Sequence, residues 1–131
     1  MATSAKSKPT PIRITFTARY KAGLKYDKRA KVYVSYAPAL EIYSQGKTKA
    51  RAKQALESAV TLFLSVAYQK GVLGDTLKAA GFSQGHGKPD LKAQQEYIHV
   101  LEEKMEEVLE RKKFPNIFEL LTSLPLETVT A

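Results

Sequence analysis

Cations and tyrosines carry the densest chemistry in this chain. Arg13, Arg19, Lys21, Lys25, Lys28, Arg29 and Lys31 fall within about twenty residues, with Tyr20, Tyr26 and Tyr33 among them. Guanidinium and ammonium groups hold phosphates, and aromatic rings stack on bases. Arg13, Arg19, Lys21, Lys28, Arg29, Lys31 and Tyr33 are therefore the candidate contacts to nucleic acid or to another anionic partner. No recognised nucleic-acid signature accompanies them. Other chemistry is thinly represented. His86 sits in a glycine-rich stretch and His99 lies thirteen residues later, neither beside a Ser or Cys nucleophile. Two histidines so placed make no metal site. The glycines at 81, 85 and 87 lack the strand-before, helix-after setting of a phosphate loop. Asp27, Glu41, Glu57 and Asp75 are scattered and read as solvated surface carboxylates. No catalytic residue and no cofactor is expected.

Composition sets the frame around these groups. The 131 residues suit one domain with an appended segment. There is no cysteine, so disulfides and thiolate metal sites are excluded. The net charge is +8, divided as +11 over residues 1–80 and −3 over residues 81–131. A basic front of this kind suits an anionic partner; a mixed, solubilising surface is the other reading. The apolar run from Val60 to Tyr68 is too short to cross a bilayer. Residues 1–11 read as a flexible polar tail without the apolar stretch of a signal peptide. A cytoplasmic protein, away from the membrane, is expected.

The elements that position the cations follow from periodicity. Ile12, Ile14, Phe16, Ala18 and Tyr20 alternate with Arg13, Thr15, Thr17, Arg19 and Lys21, a strand with one apolar and one cationic face. Val32, Val34 and Tyr36 repeat the alternation after a turn at 27–30 and complete a hairpin. Pro38 marks a strand boundary, and Leu40 and Ile42 begin a short third strand. Gly46 permits a tight turn, and Thr48 caps the next helix. That helix runs from Lys49 to Gln69, with Ala52, Ala55, Leu56, Ala59, Val60, Phe63, Val66 and Ala67 at three- and four-residue steps. Gly71 ends it, and residues 73–80 form a short second helix. Residues 83–89 read as a linker, with glycines and a proline breaking every period. Beyond it, Leu91, Ile98, Leu101, Met105 and Val108 describe a heptad-like seam on a helix over 90–113. One more turn at 117–121 and an extended tail from Pro125 complete the chain. Ile98, Leu101, Met105 and Val108 are the candidate contacts between copies. The expectation is α+β: a three-stranded antiparallel sheet packed on a long helix, in the order β-β-β-α-α, over residues 12–82, plus a C-terminal helix. An exposed sheet edge and an apolar seam together suggest a homo-oligomer.

Pro38-Ala-Leu40, then Ser44-Gln-Gly46-Lys-Thr48, then a helix bearing Ala52, Ala55, Leu56 and Ala59, resembles the core domain of HicB-type antitoxins. The resemblance covers about residues 12 to 82. It implies a degenerate ribonuclease H-like fold and a non-catalytic module that binds a small toxin, an enzyme that cleaves messenger RNA. An active nuclease of that fold needs a carboxylate on its first strand for Mg²⁺, where this chain has Arg13, Thr15, Thr17 and Arg19. The chain departs from the family in three places. Glu41-Ile42 follows Leu40 where Pro-Gly is usual. Lys47, Lys49, Arg51 and Lys53 occupy a helix start that is typically acidic. No second recognition helix follows for operator binding. The resemblance therefore implies an antitoxin-like protein or an orphan member of the fold with its own partner.

Overall fold

A computed structural model describes residues 11–84, 94–99 and 102–129, with side chains described for residues 17–83 and 103–123. The order is β1 (Pro11–Asp27), β2 (Val32–Ala37), β3 (Ile42–Gly46), α1 (Lys49–Gln69), α2 (Leu73–Ala79), β4 (Phe82–Gln84), β5 (Gln94–His99), α3 (Glu102–Arg111) and β6 (Asn116–Val129). The α+β class and the β-β-β-α-α order are as the sequence suggests. The sheet is larger, with six strands in which β3-β2-β1-β5-β4 lie in sequence and β6 also pairs with β1.

β1 is the spine. β6 runs antiparallel to it from Pro11 to Leu24. β5 pairs with it in parallel over Thr15–Arg19, and β2 antiparallel over Gly23–Asp27. Gly23 and Leu24 pair with β2 and β6 at once, so those strands take opposite edges. Thr15–Arg19 pair with both β5 and β6, which puts β5 on the β2 edge. A parallel partner needs a crossover connection, and α1 and α2 supply it.

The alternation along β1 builds two layers. Ala18, Tyr20, Ala22 and Leu24 are buried on one face. α1 covers it with Leu56, Val60, Leu64 and Ala67, and α2 with Leu73 and Leu77. The start of α1 lies close to the sheet. A Cβ on Gly46 would sit 2.5 Å from the Ala52 nitrogen. The Ser35 hydroxyl donates to the Ala52 carbonyl at 2.8 Å. Thr48 caps α1 by accepting from the Arg51 N–H at 3.1 Å. On the opposite face, Leu109 of α3 and Phe114 seat over Gly23, with Tyr36 completing a second small core.

The C-terminal third departs from the expected long helix. Residues 94–99 form a strand, and the helix is confined to Glu102–Arg111. The extra turn expected at 117–121 is instead part of β6, in which Phe118, Leu120 and Thr122 face the main core and Ile117 the second one. Residues 90–131 are thus not an appendage. Their strands take most of one edge of β1 and part of the other, contacts between residues far apart in sequence that no local period reveals. The expected linker lies mostly in residues 85–93, outside the described set. The expected core stripe of α1 is also rotated. Leu64 is buried, whereas Phe63 and Val66 are 40% and 39% exposed.

Tyr20 fastens β6 to β1. It is fully buried, and its hydroxyl lies 2.6 Å from Thr122 Oγ1. Burial pushes the phenol up to about 12, with Glu57 adding to the rise and the Thr122 hydrogen bond opposing it. Below pH 10 the phenol is neutral folded or unfolded. Between about 10 and about 12 the unfolded chain loses this proton while the folded one keeps it, so stability falls as pH rises. Tyr20 should account for up to about 3 kcal/mol of that fall. Urea denaturation near pH 9 and near pH 11.5 should show a smaller alkaline loss in Tyr20→Phe than in wild type; equal losses would refute the assignment.

Deleting residues 90–131 strips β1 of both β5 and β6. Circular dichroism of the truncated chain should show loss of folded structure in residues 12–82. A cooperatively melting truncation product would contradict this role for β6.

Candidate functional site

The structure separates the cations that the sequence groups together. Arg19 and Lys21 project from the face of β1 opposite Tyr20. Arg19 Nε lies 3.9 Å from Glu119, and Lys21 Nζ lies 3.4 Å from Glu106. Both pairs are partly exposed and contribute little stability, but they locally offset the cationic strand face. Arg13 is in register with Glu127 on β6, and its side chain is outside the described set.

Lys28, Arg29 and Lys31 sit exposed in the β1–β2 turn. Asp27 organises that turn by accepting from the N–H groups of Arg29 at 2.9 Å and Ala30 at 3.2 Å. Lys31 closes it with a left-handed φ of 57°. Tyr33 packs edge-on against Tyr26, with ring centroids 5.1 Å apart. Tyr26 remains 49% exposed. Alternation puts Tyr26 on the same sheet face as Leu24.

The start of α1 brings further cations to this end. Gly46, which leads into the helix, pairs with Tyr33, two residues beyond Lys31. Lys49 and Lys53, one helical turn apart, line a hollow of about 390 Å³ with Leu24, Asn116 and Phe118. Lys53 lies over the Phe118 ring, 4.5 Å from its centroid. Turn and helix start together form a basic pole. In sequence the cations of α1 stand well apart from those of the turn. The fold shows that they share an end with the turn.

A second cationic cluster is largely self-contained. Tyr36 and Tyr43 stack at 4.0 Å, and Lys112 approaches the Tyr43 hydroxyl at 3.1 Å. Lys25 lies 4.5 Å from the Phe114 centroid and donates to the Lys112 carbonyl at 3.4 Å. Burial first, and then Tyr43, raise the Tyr36 phenol to about 12. This cluster fastens the end of α3 to β2 and β3.

An apolar opening lies elsewhere. Ile42 of β3, Ala59, Leu62, Phe63 and Val66 of α1, Val72, and Thr76 of α2 line a groove of about 520 Å³, with Lys70 at its rim. Leu62 is 66% exposed and Val72 42%. The available signal was that the second half of α1 is apolar around most of its circumference, more than one buried stripe needs.

The expected contacts between copies divide. Val108 packs within its own chain against the second core, so it is not free to build a seam. Met105 is half-buried. Ile98 lies in β5 with its side chain outside the described set, and Leu101 is also outside it.

Asp27, Glu41, Glu57 and Asp75 remain on separate elements. Among the described residues no group of three or more acidic or histidine side chains could hold a metal ion. No helix among them is long and apolar enough to cross a membrane. Comparison with protein-family models, curated proteins and solved structures finds no match.

The basic pole depends on the close seating of α1. A methyl at Gly46 would meet backbone atoms of Arg51 and Ala52 at 2.7 and 2.5 Å, which cannot swing aside like a side chain. Gly46→Ala should destabilise the fold by about 1–3 kcal/mol. Chemical denaturation checks this, and an unchanged midpoint would show that the junction yields freely.

Proposed function

We propose that this chain is a non-catalytic, HicB-like interaction module that assembles with itself and takes a protein partner on the apolar groove of α1 and α2. The exposed groove carries the reading. Leu62, Phe63, Val66 and Val72 stand together on one surface although the described residues form two cores in which apolar groups are buried. Covering one large apolar side chain contributes about 1.5–3 kcal/mol, so a few such anchors can drive association. Ile42 places edge strand β3 beside the groove, and a partner seated there also covers an open sheet edge.

The β-β-β-α-α order supports the HicB-like assignment, as does the tight turn at Gly46 followed by capping Thr48. In the antitoxin form of this reading the partner is a small toxin; an orphan member uses the same surface for another protein. A cytoplasmic setting accompanies either form.

Sedimentation at high micromolar concentration tests self-assembly. Wild type should sediment as a dimer or larger species, and Leu62→Asp/Val66→Asp should keep that size and its circular dichroism spectrum, because the groove is left to the partner. A monomeric wild type would overturn self-assembly, and a monomeric variant would show that a second copy, not a different partner, occupies the groove. Toxin binding has a separate check. Co-expression with a small toxin encoded beside this chain should relieve growth arrest, and the groove variant should not.

A further inference from the structure

We infer that the basic pole binds single-stranded nucleic acid, holding phosphates between the β1–β2 turn and the start of α1 and stacking an unpaired base on Tyr26. The groove plays no part in this site.

Charge carries the first step. Residues 25–53 hold eight Lys and Arg against Asp27 and Glu41. Asp27 is occupied with the N–H groups of its own turn. Glu41 lies in the β2–β3 turn, at the other end of β2. Lys28, Arg29, Lys31, Lys49 and Lys53 form no ion pair with any described residue. Cations gathered without counter-charges create a field that attracts a polyanion.

Shape carries the second step. Lys49 and Lys53 line a recess with Leu24, Phe118 and Asn116, whose amide can donate to a phosphate oxygen. On the same sheet face, two residues on from Leu24 and just before the turn, the half-exposed ring of Tyr26 is braced by Tyr33. A backbone crossing from recess to turn passes this ring. Unpaired bases can turn onto an aromatic face, whereas paired bases in a duplex present only their edges. An acidic peptide would satisfy the cations but gain little from the ring.

Fluorescence anisotropy with labelled, unstructured strands of roughly 12 nucleotides tests the site. RNA, DNA and a duplex of the same sequence are compared over a salt series. Either single strand should bind more tightly than the duplex. Five phosphate contacts give a slope of log K on log salt of roughly −3 to −4. Lys49→Gln/Lys53→Gln should weaken binding at least about ten-fold and flatten the slope by roughly 1 to 1.5. Tyr26→Ala should weaken single-strand binding by about five-fold or more with the slope unchanged. Lys78→Gln/Lys104→Gln, on exposed faces of α2 and α3, should leave affinity within about two-fold. Four results would each overturn the proposal: no binding at low salt, duplex binding as tight as single-strand binding, a Tyr26→Ala variant like wild type, or competition by polyglutamate as effective as that by unlabelled strand. The substituted lysines are exposed, so circular dichroism should confirm that the variants remain folded.

Discussion

A 17-residue strand cannot stand alone, and the fold follows from how β1 is satisfied on both edges. Each of its backbone N–H and C=O groups needs a partner once helices cover its faces. The last strand of the chain supplies one edge over Pro11–Leu24. The other edge is shared, with β5 pairing at Thr15–Arg19 and β2 at Gly23–Asp27. The three pairings join the two ends of the chain, so neither half is a complete sheet without the other. The side chains of β1 then decide what lies above and below. Ala18 and Ala22 leave room beside Tyr20 for α1 on one face. Gly23 leaves room for Leu109 and Phe114 on the other, where a Cβ would come within 2.8 Å of Leu109.

The two halves of α1 do different work. Its first turns are held against backbone by Gly46 and by the Ser35–Ala52 hydrogen bond. That seating brings Lys49 and Lys53 beside Leu24 and Asn116. Farther along, only Val60, Leu64 and Ala67 are needed inward. Leu62, Phe63 and Val66 remain as surplus apolar area facing outward, in a groove that Val72 and Ile42 complete. One helix thus presents a cationic end and an apolar side, and the two surfaces are well enough separated to be altered independently.

What could be read from the residues follows the range of the interactions. β1, β2 and the capped α1 announce themselves through alternation, the Thr48 cap and three- to four-residue spacing, all of which act within a few residues. β5 does not, because Gln94 to His99 is polar and its pairing partners in β1 and β4 are distant in sequence. Leu91, Ile98, Leu101, Met105 and Val108 can be laid on one helical seam, but strand pairing at 94–99 outweighs that local pattern. β6 carries a real alternation in Phe118, Leu120 and Thr122, obscured by the consecutive Leu120 and Leu121. Phe63 and Val66 fall outside the core for a related reason. In a helix segment apolar on most sides, spacing alone does not choose which stripe meets the sheet. The basic pole was half legible, since the turn cations are contiguous in sequence whereas Lys49 and Lys53 join them only through the β2–β3 register.

Charge shows why a count along the chain misleads about where charge acts. The front of the sequence is basic and the back mildly acidic, yet the fold does not keep them apart. β6 and α3 carry Glu119 and Glu106 onto the middle of β1, where they meet Arg19 and Lys21. Those strand cations, the most regular in the sequence, are therefore the ones the fold partly offsets. Lys28, Arg29 and Lys31 of the β1–β2 turn and Lys49 and Lys53 of α1 form no such pair with a described residue, and Asp27 is spent on its own turn. Positive charge thus concentrates at one end of the sheet, beside an exposed tyrosine and a recess, while the apolar groove remains almost free of charge apart from Lys70. A polyanion and an apolar partner would each find a surface suited to one of them and poorly suited to the other.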